Sequence, residues 1–325
     1  MSKKPYLSIV VATRNDDHDG SLAHRMRLFF HVLTSQMVKY NMPLEIVIVE
    51  WNPPKKRLPL KDVLNLPKKN NLYEIRIITV PNRIHELFRD SDKLNLFQFI
   101  SKNVGIRRSR GKFILATNID ILFSDQLLDI LSKQNLGENE MLRAIRYDVP
   151  DKIREVWSEK KIIAWCKKNK LKGYFPVGAM PKKNNLQMFL DRIGVHRTRP
   201  SLFTNACGDF TLLSREFWYK VQGYPELPVH GVKIDGLLCY NAYFAGAKER
   251  ILSRNKCVYH IDHANSWSGE KGDDLQSRLN KLEIPFITRE EYIRYIGLMV
   301  RKNKPFRFND EHWGLAKYSF QEYVQ

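Results

Sequence analysis

Short runs of β-branched and aliphatic residues recur through the first 120 positions, and this spacing restricts the fold more than any other feature. YLSIVVAT (Tyr6–Thr13) opens onto Arg14-Asn15-Asp16-Asp17, and LEIVIVE (44–50) stops at Trp51-Asn52-Pro53-Pro54, where two prolines forbid continuation. YEIRIITV (73–80) is a third run, and FILA (113–116) begins a fourth. Runs with no polar face are those of strands buried on both sides. Between the first two, Leu22, Met26, Phe29, Phe30, Leu33 and Met37 fall at helical spacing, and 92–106 carries Leu94, Phe97, Phe99 and Ile100 in the same manner. Alternating strands and helices with short turns predict the α/β class: a mostly parallel, Rossmann-like central sheet flanked by helices. Ligands of such sheets lie at the carboxyl ends of the strands.

Within GKFILATNIDILFS (111–124) the apolar run is interrupted by Asn118 and Asp120. Read as one strand, residues two apart point to the same side, so both side chains converge on one object. A hard divalent cation carried by a diphosphate is such an object, since it takes one or two protein carboxylates and fills its other positions with phosphate and water. The plainer alternative is a turn in which both residues cap backbone groups.

The later pattern is less regular. Regular structure resumes at 203–214, helices are expected over 215–221, 233–245 and 289–300, and ILSRNKCVYHID (251–262) reads as the last strand. Residues 151–200 hold thirteen Lys or Arg against four Asp or Glu, with Trp157, Trp165, Tyr174 and Phe175 interleaved, and read as a basic insertion. The expected division is 1–125, a linker and insertion over 126–202, 203–265 returning to the first unit, and a helical tail over 266–325.

A formal charge of +19 admits nucleic acid, an anionic membrane face or phosphorylated small molecules as partners, and fits equally a set of Lys-rich solvated faces. Four scattered cysteines, Cys166, Cys207, Cys239 and Cys257, form no C-x-x-C and suggest neither a disulfide framework nor a zinc knuckle. No apolar run approaches the roughly 20 residues that span a bilayer. A cytoplasmic protein is expected, with at most peripheral contact to an anionic inner membrane face.

Taken in order, LSIVVATRND, EIVIVEWN, KNVGIRRSRGKFILATNIDILFS and ACGDFTLLSREFWYKVQGYPE resemble the nucleotide-sugar glycosyltransferases of GT-A fold, near the large inverting family 2. The likeness covers roughly 5–125 and 203–263. It implies transfer of a sugar from a nucleoside diphosphate donor to a hydroxyl of a glycan or lipid-linked acceptor, in glycan or polysaccharide synthesis, with Mn2+ or Mg2+ as cofactor. Thr13, Arg14, Asn15, Glu50, Asn103, Arg107 and Asn118 are then expected at the donor nucleotide. Gly208 and Asp209 are expected at the acceptor, Asp120 and His260 on the metal, and Asp235 as the catalytic base. His260 is preferred to His263 because residues three apart diverge along a strand. Asp235 also reads as a helix cap, and the two histidines as a solvated cluster.

The sequence departs from the family at two points. The D-x-D position reads Asn118-Ile119-Asp120, which removes one carboxylate, and Glu50 is followed by Trp51 where paired aspartates are common. Two other classes compete with the enzyme: a nucleic-acid binder built on the basic aromatic segment, and a sugar-nucleotide binder without catalysis. Absence of zinc-finger spacing, RNP-like aromatic strands and a G-x-x-G clamp makes nucleic acid the weaker reading.

Overall fold

A computed structural model describes residues 5–16, 20–64, 66–67, 71–176, 199–263 and 272–325. The elements, in order, are β1 (Leu7–Thr13), α1 (Leu22–Tyr40), β2 (Leu44–Trp51), α2 (Leu60–Val63), β3 (Tyr73–Val80), α3 (Asn82–His85), α4 (Gln98–Arg108), β4 (Phe113–Ala116) and β5 (Ile121–Phe123). There follow α5 (Asp125–Ser132), β6 (Glu140–Arg143), β7 (Ile145–Val149), α6 (Glu159–Lys168), β8 (Gly173–Tyr174), β9 (Thr211–Ser214), α7 (Arg215–Val221) and α8 (Ile234–Phe244). The chain ends with β10 (Lys248–Ile251), β11 (Cys257–Ile261), α9 (Gly272–Lys281), α10 (Arg289–Lys302) and β12 (Gln321–Val324).

β4, β1, β2 and β3 lie side by side and parallel, the arrangement expected from their sequences. All residues of β1, β2 and β4 are buried, because helices cover both faces. The two-residue period divides β1 between two cores. Leu7, Ile9 and Val11 pack with Met26, Phe29, Phe30 and Leu33 of α1, whereas Val10 packs with Ile100 and Val104 of α4. Gly105 permits this second approach, since a Cβ there would lie 2.6 Å from Val10 Cγ1. Serine hydroxyls start three helices: Ser124, Ser158 and Ser214 each accept from the backbone N–H three residues on.

The sheet grows on both sides to eight strands in the order β10-β6-β9-β4-β1-β2-β3-β12. The fold is therefore α/β with a central sheet that is parallel in its middle and flanked by helices. Its margins differ from the sequence expectation. β9 enters antiparallel between β4 and β6, and β6 and β7 come from residues that read as a linker. The C-terminal tail carries the helix expected over 289–300 as α10, preceded by α9, which was not expected, and closes with β12, antiparallel to β3.

Two segments that read as single strands are split between sheets. Phe113–Ala116 stays in the large sheet as β4, while Ile121–Phe123 joins a second sheet, ordered β5-β11-β7-β8. Likewise β10 edges the large sheet and β11 sits inside the small one, parallel to β7 and antiparallel to β5. A continuous apolar run does not report which sheet its halves join. The polar interruptions, Thr117–Asp120 and Ser253–Lys256, mark the places where the chain crosses. The carboxyl end of β4 is thus brought against the carboxyl end of β11, and the site lies at that junction.

Candidate active site

Residues 117–120 form a turn, not a strand, so Asn118 and Asp120 diverge. Asn118 Nδ2 donates to Asp209 Oδ1 (2.6 Å), and Asn118 Oδ1 accepts from Gln98 Nε2 (3.0 Å). Asp120 faces the other way, toward the end of β11. Its carbonyl accepts from the Ile261 N–H (3.1 Å), and its Oδ2 lies 3.6 Å from His260 Nε2 and 3.4 Å from His263 Nε2. The expectation that Asn118 and Asp120 share one object is corrected here: period two holds within a strand, and the strand ends at Ala116.

Asp120, His260 and His263 offer ligand atoms all within 4.8 Å of one another. Asp120 Oδ1 is buried and accepts no hydrogen bond among the described residues, an arrangement that leaves a strong acceptor without a donor there. Burial raises the Asp120 carboxyl, but the neighbouring His260 and His263 outweigh it and hold the group well below the usual carboxylate range. Burial likewise pulls His260 down, while Asp120 and Asp148 carry it up to about 9.

Asp148 and Asp209 share one guanidinium, that of Arg146, whereas among the described residues Asp120 pairs only with His260 and His263. A divalent cation would take the place of the protons on the two imidazoles and give Asp120 Oδ1 a partner, so the residues fit one. One carboxylate and two imidazoles suit Mn2+ better than Mg2+, which favours oxygen ligands.

Arg146 joins the two halves of the site. Its Nη1 donates to Asp209 Oδ2 (2.7 Å), its Nε to Asp148 Oδ1 (2.7 Å), and its Nη2 lies 2.8 Å from His260 Nδ1. Both oxygens of Asp209 are therefore occupied, one by Asn118 and one by Arg146.

Next to it, the turn Cys207–Asp209 is tied to the start of α8. Asp235 Oδ2 accepts from Gly208 N (2.7 Å), and Asp235 Oδ1 from Gly236 N (2.8 Å). The helix cap position belongs to Lys233, so Asp235 is a tie between elements rather than the cap. Burial raises its carboxyl above the ordinary value, against the pull of the Cys207 thiol and these two N–H groups. Lys102 of α4, 0% exposed, donates from Nζ to Gly208 O (2.8 Å). Burial lowers its ammonium to about 8, although Asp209, Asp235 and Asp120 act in the opposite sense.

Thr13 and Glu50 are register partners at the carboxyl ends of β1 and β2. Thr13 Oγ1 turns inward to Met26 Sδ (3.9 Å). Arg14 Nε donates to Asn52 O (2.7 Å), Asn15 Nδ2 to Leu58 O (2.8 Å), and Glu50 Oε1 accepts from Leu60 N (2.9 Å). These contacts fasten the loop after β2 against the loop after β1.

Asn103 and Arg107 are not brought to this edge. α4 starts at Gln98, beside Asn118, and runs back under the sheet, so its last residues reach the strands' amino ends. Asn103, 0% exposed, donates to Tyr224 O (2.9 Å) and Glu226 Oε1 (3.0 Å) and accepts from Tyr224 N (2.8 Å). The Arg107 guanidinium lies over Trp313, 5.1 Å from the ring centroid. An 11-residue helix is about 16 Å long, enough to carry its end to the opposite edge.

His263, Arg146, Asp148, Lys102 and Gln98 were not expected in the site. His263 follows the end of β11 at Ile261, so strand periodicity does not govern its direction. Arg146 and Asp148 alternate with apolar residues in IRYDV, a pattern of two charges on one strand face that is visible in the sequence.

No family model matches the sequence, and no curated protein does. Similar solved structures include the catalytic domain of Drosophila β1,4-galactosyltransferase 7 with xylobiose, at 12% identity and a TM-score of 0.37, covering 84% of this chain and 79% of that one. S. aureus TarS 1-349 is similar at 14% identity and a TM-score of 0.39, covering 78% of this chain and 60% of that one. The mannosyltransferase PcManGT from Pyrobaculum calidifontis, solved with GDP-Man and Mn2+, has 10% identity and a TM-score of 0.42, with 82% of this chain and 59% of that one covered. The chain thus spans less than two thirds of the latter two. No helix among the described residues is long and apolar enough to cross a membrane.

Proposed function

We propose that this chain is a glycosyltransferase that moves a sugar from a nucleoside diphosphate donor to an acceptor hydroxyl with inversion. The observation that carries this reading is the group of Asp120, His260 and His263 at the carboxyl edge of a parallel sheet, with Asp120 Oδ1 lacking a donor among the described residues. Asp120, His260 and His263 would hold Mn2+. The chemistry such a cation supplies is neutralisation of the charge that gathers on a departing diphosphate. Thr13, Arg14, Asn15 and Glu50 border the same edge and form the donor's side of the cleft.

The acceptor lies at Gly208 and Asp235. Asp235 takes the acceptor proton: its two oxygens already accept one N–H each, but a carboxylate has further lone pairs. A carboxyl raised by burial is the better base near neutral pH. Asp209, held by Asn118 and Arg146, orders the turn that presents the acceptor. The aromatic residues of the basic segment do not offer a bare stacking platform. Trp157 packs on Trp165, Tyr174 lies against the Arg146 guanidinium, and Phe175 against that of Arg254.

The test is a thermal-shift screen with a panel of nucleoside diphosphate sugars, with and without Mn2+. A ligand at 100 times its Kd stabilises the native state by about 2.7 kcal/mol. A metal-dependent rise for at least one nucleotide sugar, followed by turnover, is expected. Rises with single-stranded DNA alone would overturn the reading.

A further inference from the structure

The two imidazole nitrogens of His260 face different charged groups. β7 and β11 are parallel with Asp148 and His260 in register, so their side chains stand side by side on one face. Asp148 Oδ1 lies 3.1 Å from His260 Nδ1, and His260 Nε2 lies 3.6 Å from Asp120 Oδ2. We propose that Asp148 is a positioning residue that accepts the Nδ1–H of His260 and thereby turns the Nε2 lone pair toward Asp120 and the cation. This inference rests on the metal reading given above.

Asp148 could instead be present only to neutralise Arg146, whose Nη2 approaches both Asp148 Oδ1 (2.6 Å) and His260 Nδ1 (2.8 Å). Two arrangements of protons are available. In one, Arg146 donates to Nδ1, which places the proton on Nε2 and blocks that atom as a ligand. In the other, Nδ1–H and Arg146 both donate to Asp148 Oδ1, while Tyr174 Oη donates to Oδ2 (3.1 Å).

The second arrangement gives Nδ1–H, Arg146 Nε and Tyr174 Oη carboxylate acceptors, and requires Arg146 Nη2 to turn its N–H from Nδ1 to Asp148 Oδ1, 2.6 Å away. Arg146 already reaches Asp148 through Nε and Asp209 through Nη1, and so does not need the imidazole as an acceptor. Asp148 is 0% exposed, so water does not compete for its oxygens. A carboxylate behind a metal-bound histidine fixes the tautomer and ring orientation, and its loss typically weakens metal binding about 10- to 100-fold.

Two measurements on the full chain decide the matter. Free Mn2+ is titrated by electron paramagnetic resonance against wild type and Asp148→Asn, with melting of the metal-free proteins as the check on folding. The nitrogen shifts of the Zn2+-loaded wild type report which His260 nitrogen carries the proton. The expected result is a proton on Nδ1 in the Zn2+ form and a 10- to 100-fold weaker Mn2+ affinity in a folded Asp148→Asn. A proton on Nε2, or Mn2+ affinity within twofold of wild type, would overturn the inference. Should Asp148→Asn not fold, the wild-type spectrum decides alone. Failure of the wild type to take up either metal overturns the metal reading and this inference with it; uptake that ignores Asp148 overturns this inference only.

Discussion

Asn118 donates its amide to Asp209 across 2.6 Å, which gives a physical reason for a neutral residue at this position. A carboxylate at 118 would stand against the Asp209 carboxylate and also lose the donor that Asp209 Oδ1 now uses. Asn118→Asp is therefore expected to destabilise the fold by about 1–3 kcal/mol, and not to tighten Mn2+ binding. Urea unfolding and a Mn2+ titration check this. Tighter Mn2+ binding would return Asn118 to the metal shell.

Asp120→Asn removes the charge that sets His260 and His263 in place. Mn2+-dependent binding of a nucleoside diphosphate is expected to disappear, while the weak metal-free binding stays as in wild type. His263→Ala is expected to weaken Mn2+ binding at least tenfold. Calorimetry with and without Mn2+ separates the two arms, and equal weakening in both would assign these residues a structural role only.

Much of this site could be read from sequence, but not its wiring. β1 and β2 announce themselves because each is largely apolar on both faces, β3 by its β-branched run, and α1 because its apolar stripe spans Leu22 to Met37. Asp120 could be found because it interrupts an apolar run, and His260 from the family resemblance at the end of the last expected strand. The pairing of β5 with β11 could not, since a run such as ILF fits either sheet equally well. His263, Arg146 and Asp148 depend on that pairing, and so remain hidden until the second sheet is seen. The misplaced residues, Asn103 and Arg107, come from treating a helix as though it ended at the same edge where it began.

Asn103 therefore serves as a test of placement. It makes three hydrogen bonds to Tyr224 and Glu226, and Gly223, at φ +73°, packs directly against its amide. Asn103→Ala leaves the buried Tyr224 N–H without a partner and is expected to lower stability by about 2–4 kcal/mol. Nucleotide affinity of the folded fraction, measured by calorimetry well below the melting temperature, should stay within about twofold of wild type.

Lys102 gives a pH dependence. Its ammonium is lowered to about 8 in the folded chain from an ordinary 10.5. Between those values the unfolded state binds more protons, so raising the pH favours the folded state; below about 8 both states are protonated and the penalty is constant. Relative to Lys102→Met, the wild type is expected to gain stability from about pH 8 to 10.5, by on the order of 3 kcal/mol. Denaturation of both proteins across this range checks it. A difference that does not change with pH would mean that Lys102 titrates at its ordinary value.

Asp235 allows the sharpest test of the proposed chemistry, and its surroundings dictate how the test must be read. Both of its oxygens accept a backbone N–H, from Gly208 and from Gly236. Asparagine has one acceptor oxygen and would turn an NH2 group toward the other N–H. Asp235→Asn is thus expected to lose about 1–3 kcal/mol of stability whatever its part in catalysis, and a lowered melting temperature is not evidence against a base. The rate distinguishes the roles. A base that takes the acceptor proton contributes about 10²- to 10⁴-fold, so turnover should fall by that factor at a temperature where the variant is fully folded, with donor affinity unchanged. A tie between the Cys207–Asp209 turn and α8 predicts instead a modest change in acceptor KM and a near-normal kcat. Saturating both substrates and comparing kcat for Asp235→Asn with kcat for an equally destabilised variant far from the site, such as Gly246→Ala in the turn after α8, settles which of the two Asp235 is.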